Sequence, residues 1–224
     1  MTTSDIDARF PPIYTDRLYI RFFDPSRPED YETVLEFYNS EYTKRFIGDV
    51  GMNTKEHIES RCEEGTMIPK VPGKPASATP KYPWHIVYLR SDLSRPVGIN
   101  SLFTAVPFNK PTLGWAVREE IAGQGYASEA ASAVLKCWVE DIGVTDLWAG
   151  TFPHHKASQR VAVKVGFEFG GTFSMKFPDG EVKEAIYYVL PGADKSNMEG
   201  RVMDLTQQPG MPSVPLVPAV ELAA

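Results

Sequence analysis

The chain has 224 residues, enough for one sizeable domain with its own core. Its 42% hydrophobic and 23% charged residues are those of an ordinary globular protein, and its net charge of −6 argues against a nucleic-acid binder. No segment has the apolar length of a membrane span, and the opening "MTTSDIDARFPP" lacks the h-region of a secretory signal. Cys62 and Cys137 have neither metal-ligand spacing nor disulfide density, so two reduced packing cysteines, no metal and a cytoplasmic location are expected.

Residues 1–12 read as an irregular arm. In "TDRLYIRFF", Leu18, Ile20 and Phe22 alternate with Tyr19, Arg21 and Phe23, which is strand periodicity. "PEDYETVLEFYNS" changes to a helical period, with Tyr31, Val34, Leu35 and Tyr38 on one face and Glu29 and Asp30 in the first turn. A second helix is expected from Asn53, with Glu56 completing a capping box and Gly65 as its stop. Residues 66–83 are rich in proline and lysine and read as a long surface loop.

"WHIVYLR" and "VGINSLF" predict a hairpin across "SDLSRP", and "TLGWAV" a further strand. A helix follows from Gly125 to Ile142, then "DLWAGTF" as a buried strand and "KASQRVAVKVGF" as a short helix ending at Gly166. Two strands then pair around Pro178-Asp179-Gly180. After Leu190 the periodicity fades into a proline-punctuated tail. These elements define an arm at 1–12, a domain at 13–190 and a tail at 191–224. The expected class is α/β (α+β), with a mixed sheet that is antiparallel early and interrupted by helices later.

The most informative stretch is "REEIAGQGYASEA". A glycine-rich turn from strand to helix exposes backbone N–H groups, which with the helix dipole make an anion site suited to phosphate. Gly123, Gly125 and Ala127 leave that backbone open. Alone, the pattern also fits a plain strand-to-helix turn. It lacks the Gly-Lys-Ser/Thr ending of a P-loop and the order of a dinucleotide fingerprint.

"LGWAVREEIAGQGYASEA" resembles the central strand, loop and helix of the GNAT superfamily of acyl-CoA N-acyltransferases, and within it the Rim-type ribosomal-protein acetyltransferases. Their G-x-G-Y-A-T-E-A compares with Gly123 to Ala130 here. "HHKASQRVAVKVGF" is similar to N-x-x-S-x-x-V-x-x-K-x-G-F, with Ser158, Val161, Lys164, Gly166 and Phe167 in register. "YTDRLYIRFF" followed by an acidic helix start is similar to T-x-R-L-x-L-R. The three blocks cover Tyr14 to Leu190.

The resemblance implies a GNAT-like, mostly antiparallel sheet and acetyl-CoA as co-substrate, its acetyl group passing to a primary amine by direct attack in a ternary complex. Trp115, Ala116 and Val117 would supply a strand edge for the pantetheine arm and an amide for the carbonyl oxygen. Gly123, Gln124, Gly125, Tyr126, Ala127 and Ser128 would hold the pyrophosphate. Ser158 matches a serine that some Rim-type enzymes place near the sulfur, as a proton donor. His155 replaces the asparagine of N-x-x-S as a cofactor contact, Ala122 replaces a usual arginine or glutamine, and Ala162 stands where many relatives carry a tyrosine acid.

For the base, His154 and His155 titrate near neutrality as free residues, while Glu119, Glu120 and Glu184 are carboxylates that no spacing singles out. Trp84, Trp115 and Tyr88 are candidates for an acceptor pocket. The acceptor amine, a protein N-terminus or a small amine, is not legible, nor is the choice between monomer and homodimer. Two other readings are a non-catalytic acyl-CoA-binding or interaction module and a thioester hydrolase on the same fold.

Overall fold

A computed structural model describes residues 10–63, 69–75, 78–195 and 198–208. The chain enters the sheet as β1 (Ile13–Tyr14) and turns into β2 (Leu18–Phe22), its antiparallel neighbour. Helix α1 (Pro28–Asn39) follows, with proline at its start and Glu29 and Asp30 in the first turn. Asp30 is fully buried and holds Arg21 through two bonds of 2.5 and 2.6 Å, which fixes the start of α1 against β2.

A short helix missing from the sequence reading comes next. α2 (Glu41–Ile47) is capped by Ser40, whose hydroxyl accepts the N–H of Thr43 at 3.1 Å. It has no fully buried residue. Helix α3 (Lys55–Glu63) begins later than expected, because the Thr54 hydroxyl, not Asn53, accepts the His57 N–H. Gly65, its expected stop, lies outside the described residues, as do positions 1–9 of the arm, five positions of the 66–83 loop (66–68, 76 and 77), and 209–224 of the tail.

Strands β3 (Trp84–Leu89), β4 (Gly98–Ala105) and β5 (Lys110–Val117) form an antiparallel run, with the expected hairpin between β3 and β4. Helix α4 (Tyr126–Lys136) widens into a π-helical turn at Cys137–Ile142, and Gly143 closes it in the left-handed region (φ 94°). β6 (Trp148–Thr151), α5 (Lys156–Val165), β7 (Glu168–Lys176) and β8 (Val182–Val189) complete the expected elements.

With a last strand, β9 (Val202–Asp204), the sheet has nine strands among the described residues, in the order β1-β2-β3-β4-β5-β6-β8-β7-β9, parallel only at β5–β6 and β7–β9. The mixed, mostly antiparallel architecture is the one expected. Its alternating strands bury both faces: Leu18, Ile20 and Phe22 join Ala131, Val134 and Trp138 in one cluster. Tyr31, Val34 and Phe37 of α1 join Trp84, Ile86 and Ile99 in another. Each such side chain contributes about 1.5–3 kcal/mol. Cys62 is buried and Cys137 half-buried, and neither is in a disulfide.

The sheet does not stop at Leu190. β9 (Val202–Asp204) pairs parallel with β7, and Met198, Met203 and Leu205 are buried with Phe108, Trp148 and Phe173 in a third cluster. The tail boundary read from fading periodicity therefore cuts through packed structure: a strand of three residues is too short to show a period.

Candidate active site

β5 and β6 run parallel, yet they share a single register pair, Thr112↔Trp148, and part beyond it. In an antiparallel pair, successive residues turn their backbone groups to opposite sides. The Arg118 N–H donates to Val97 at 3.0 Å, so in register with it Ala116 turns toward β4, where it faces Ile99. Trp115 and Val117 therefore turn their N–H and C=O groups into the fissure. Of the three residues named from the sequence, Ala116 has its backbone committed elsewhere.

The fissure opens into a cavity of about 360 Å³. On one side stands the turn that the glycines form. Arg118, at the end of β5, donates to the Pro96 carbonyl at 2.7 Å and is ion-paired with Glu36 of α1. The turn then passes Gly123 (φ 81°) and Gly125 (φ 88°), both in the left-handed region. A Cβ on Gly123 would meet nothing within 4 Å, so this backbone lies open.

Gly125 is the N-cap of α4 and offers no side chain to the helix amides. The N–H groups of Tyr126, Ala127 and Ser128 therefore have no partner within the helix and stand at its positive end. These three residues line the cavity with Gly123 and Gly125, whereas Gln124 does not. The Gln124 carbonyl instead accepts from Arg17 at 3.1 Å.

Arg17 is one of two residues at this loop that sequence reasoning missed. Its guanidinium lies 4.2 Å from the Tyr126 ring centre and its Nε bonds Glu129 at 2.6 Å. Glu129 also accepts from the Thr15 hydroxyl at 2.5 Å. Burial pushes the Glu129 carboxyl up, and the bonds from Thr15 and Arg17 more than offset this, leaving it below its usual range. Thus "TDR" and "GYASEA" are two halves of one clamp, a coupling that only their joint occurrence in the sequence could have signalled.

The opposite wall is α5. Ser158 is 7% exposed, and its oxygen accepts the Trp115 indole N–H at 3.1 Å. The indole is only a donor, so the hydroxyl keeps its own proton to give. One and two turns on, Val161 and Lys164 line the cavity together with Arg160. Ala162 does not: it is fully buried in the core, so a tyrosine is not missing from the cavity at that position. Ala122 does line it.

The two histidines separate. His155 lines the cavity with its ring 3.9 Å from that of Phe46. Burial, with a smaller contribution from His154, lowers its pKa to about 4, so it does not titrate near neutrality as the sequence suggested. His154 is exposed, lies outside the lining and stacks on Phe152 at 5.6 Å.

The rest of the cavity wall comes from α1 and α2: Phe37, Tyr38, Tyr42, Phe46 and Ile47, with Ser101 and Thr151 opposite. Trp84 and Tyr88, expected there, are buried elsewhere. Trp84 packs edge-on to Phe103, and the Tyr88 hydroxyl accepts from Arg21. Glu119 and Glu120 are exposed and paired with Arg45 and Arg95, and Glu184 is exposed on β8; none lines the cavity. The α2 wall was invisible in the sequence because α2 is short and half-exposed.

A parted sheet thus stands beside a glycine-opened helix start, and the two share one cavity. The family described as Acetyltransferase (GNAT) domain matches residues 17–168, and the chain belongs to this family of N-acetyltransferases. An uncharacterized N-acetyltransferase of Bacillus subtilis (strain 168), YnaD, is 27% identical over 179 residues, 80% of this chain and 95% of the relative. A GNAT-family acetyltransferase from Bacillus anthracis has a similar fold, with a TM-score of 0.57, 24% identity and coverage of 80% of this chain and 97% of that one. The fold is also similar to that of RimL, a ribosomal L7/L12 alpha-N-protein acetyltransferase in complex with coenzyme A. There the TM-score is 0.58 and the identity 16%, over 82% of this chain and 99% of the other. Among the described residues no helix is long and apolar enough to cross a membrane.

Proposed function

We propose that this chain carries the acetyl group of acetyl-CoA to a primary amine by direct attack within a ternary complex. The observation that carries the reading is the fissure between β5 and β6, which opens beside the free amides of Tyr126, Ala127 and Ser128. Acetyl-CoA supplies the acetyl group as an activated thioester. The residues present fit it: the unpaired backbone of Trp115 and Val117 suits an amide-bearing pantetheine arm. The open turn from Gly123 to Ser128 suits a pyrophosphate, and Arg160 and Lys164 add the only cationic chains of the lining among the described residues.

An N–H from Trp115 or Val117 stabilises the oxygen as the amine nitrogen bonds to the carbonyl carbon. Ser158 gives its proton to the sulfur as the carbon–sulfur bond breaks. The proton shed by the nitrogen returns through water to Ser158. His155 stays neutral and packs against Phe46, and His154 takes no part. The intact hydroxyl and the membership of a transferase family favour this over a non-catalytic module or a hydrolase. Cysteines held outside any disulfide fit a cytoplasmic location.

The test is release of free coenzyme A thiol from acetyl-CoA over a panel of amines, with the products read by mass spectrometry. Amine-dependent release with an N-acetyl product is expected. Thiol release without any amine would make the protein a hydrolase, and binding without turnover a module.

A further inference from the structure

We infer that the acceptor is an apolar or aromatic primary amine that enters the cavity as its free base. The inference rests on the acetyl-transfer reading above and names the substrate class of the same site. Its first support is the wall that α1 and α2 supply. Phe37, Tyr42, Phe46 and Ile47 bring three aromatic rings and a branched aliphatic chain to one half of the cavity.

The second support is the charge of the whole lining. Among the described residues lining the cavity the titratable side chains are Tyr38, Tyr42, Tyr126, His155, Arg160 and Lys164, and no aspartate or glutamate is among them. Four carboxylates on neighbouring elements are engaged elsewhere: Glu36 with Arg118, Glu119 with Arg45, Glu120 with Arg95, and Glu129 with Arg17. Glu32 of α1 and Glu41 of α2 are exposed and lie outside the lining. An ammonium ion would shed its water here and find no counter-charge, which opposes its binding.

Aromatic rings also hold cations, but these are already covered. The Arg118 guanidinium lies over Phe37 at 5.2 Å, that of Arg45 over Tyr42 at 5.9 Å, and the His155 ring lies 3.9 Å from Phe46. Two of these ring faces thus already hold a cation of the protein itself. The one imidazole of the lining among the described residues, His155, is a poor base, since burial lowers its pKa to about 4. The amine therefore loses its proton in water, before it binds.

A weakly basic amine is then favoured. An α-amine with a pKa of ~8 is neutral roughly two hundred times more often at pH 7.5 than a lysine amine at ~10.4. The acceptor is thus selected twice, by an apolar group beside the nitrogen and by low basicity.

The test compares kcat/KM at saturating acetyl-CoA for phenylalanine amide, alanine amide, Nα-acetyl-lysine amide and spermidine between pH 6 and 10. Phenylalanine amide is expected to exceed alanine amide at least about tenfold, as one buried aromatic group allows, with the lysine amide and spermidine far below both at pH 7.5. Each profile should rise with unit slope and level at the acceptor's own pKa. A break at one fixed pH for all acceptors, or spermidine matching phenylalanine amide, would overturn the inference.

Phe46→Asp places a carboxylate in this wall and should raise the spermidine to phenylalanine amide ratio at least about tenfold, since it supplies the counter-charge that the lining lacks and removes an aromatic contact. An unchanged ratio would count against the wall, and because it is a ratio, partial loss of folded protein does not move it. The melting temperature with acetyl-CoA separates the two failures. A rise without turnover of apolar amines overturns this inference alone, and no rise overturns the acetyl-transfer reading with it.

Discussion

The Trp115 indole N–H donates to the Ser158 hydroxyl oxygen across 3.1 Å, tying the parted edge of β5 to the first turns of α5. The bond leaves Ser158 one proton and a fixed direction in which to offer it. Ser158→Ala should lower kcat by about 10²- to 10⁴-fold and leave acetyl-CoA affinity nearly intact. Trp115→Phe keeps the ring but not the donor and should lower kcat by a smaller factor. Steady-state kinetics with direct measurement of cofactor binding check both. Full activity in the serine variant would pass the proton to water.

Ala127 is in the first turn of α4, with its amide open to the cavity. An aspartate there is favourable for the helix by about 0.3–1 kcal/mol, because it faces the positive end of the dipole. It also puts a negative charge where the pyrophosphate is proposed to bind. Ala127→Asp should therefore unfold no more easily than the parent, while the rise in melting temperature that acetyl-CoA gives the parent disappears. A rise of the parent's size would move the anion site elsewhere.

Glu129 holds the loop to β2 through Thr15 and Arg17. Glu129→Gln should cost about 1–2 kcal/mol in urea unfolding, the low end because Arg17 is largely exposed. The Glu129 carboxyl is depressed in the folded state, so its contribution is complete above the ordinary carboxylate range. It fades as the pH falls through the folded value. Acetyl-CoA should also bind more weakly, since Arg17 steadies Gln124 and Tyr126 as well.

His85 is fully buried and accepts the Trp138 indole N–H at 3.2 Å, and burial lowers its pKa to about 3. The unfolded chain takes up a proton at this residue near pH 6.5 and the folded chain does not. Its contribution to stability is therefore whole above about pH 6.5 and is lost as the pH falls toward 3. His85→Gln keeps an acceptor for the indole. Urea midpoints measured between pH 7 and 4.5 should fall less steeply in this variant than in the parent.

Truncation after Ala193 removes β9 and the three buried side chains Met198, Met203 and Leu205. It also removes Gln208, whose amide bonds both the N–H and the carbonyl of Val106. A loss of at least about 4 kcal/mol is expected, from cavities alone. Truncation after Gln208 keeps every one of these contacts. Equal stability of the two shortened chains would show that β9 contributes little.

The parts legible in the sequence are those whose cause is local. The glycines at 123 and 125 are needed by left-handed backbone at their own positions, and Leu18, Ile20 and Phe22 alternate because one strand has two faces. The rest depends on partners far along the chain. Nothing near Glu129 announces Thr15 and Arg17, more than a hundred residues earlier. His155 looks like an ordinary titrating imidazole until Phe46 covers it. The seven residues of α2 make barely two turns, too few to separate their period from that of α1.

The fissure between β5 and β6 is, in effect, a sheet edge placed in the middle of a sheet. An exposed edge is a template on which any extended chain can add itself, and proteins commonly guard such edges with charge, proline or bulges. Trp115 and Val117 carry none of these guards; theirs is depth. Their free backbone lies in a recess between the glycine turn and α5, with Gly114 and Gly150 lining either side of the gap. A peptide strand would have to fit side chains from both its faces into this recess. A thread of amides and methylenes has nothing projecting from it. On the proposed reading, the recess that shields the free edge is also what suits the shape of its partner.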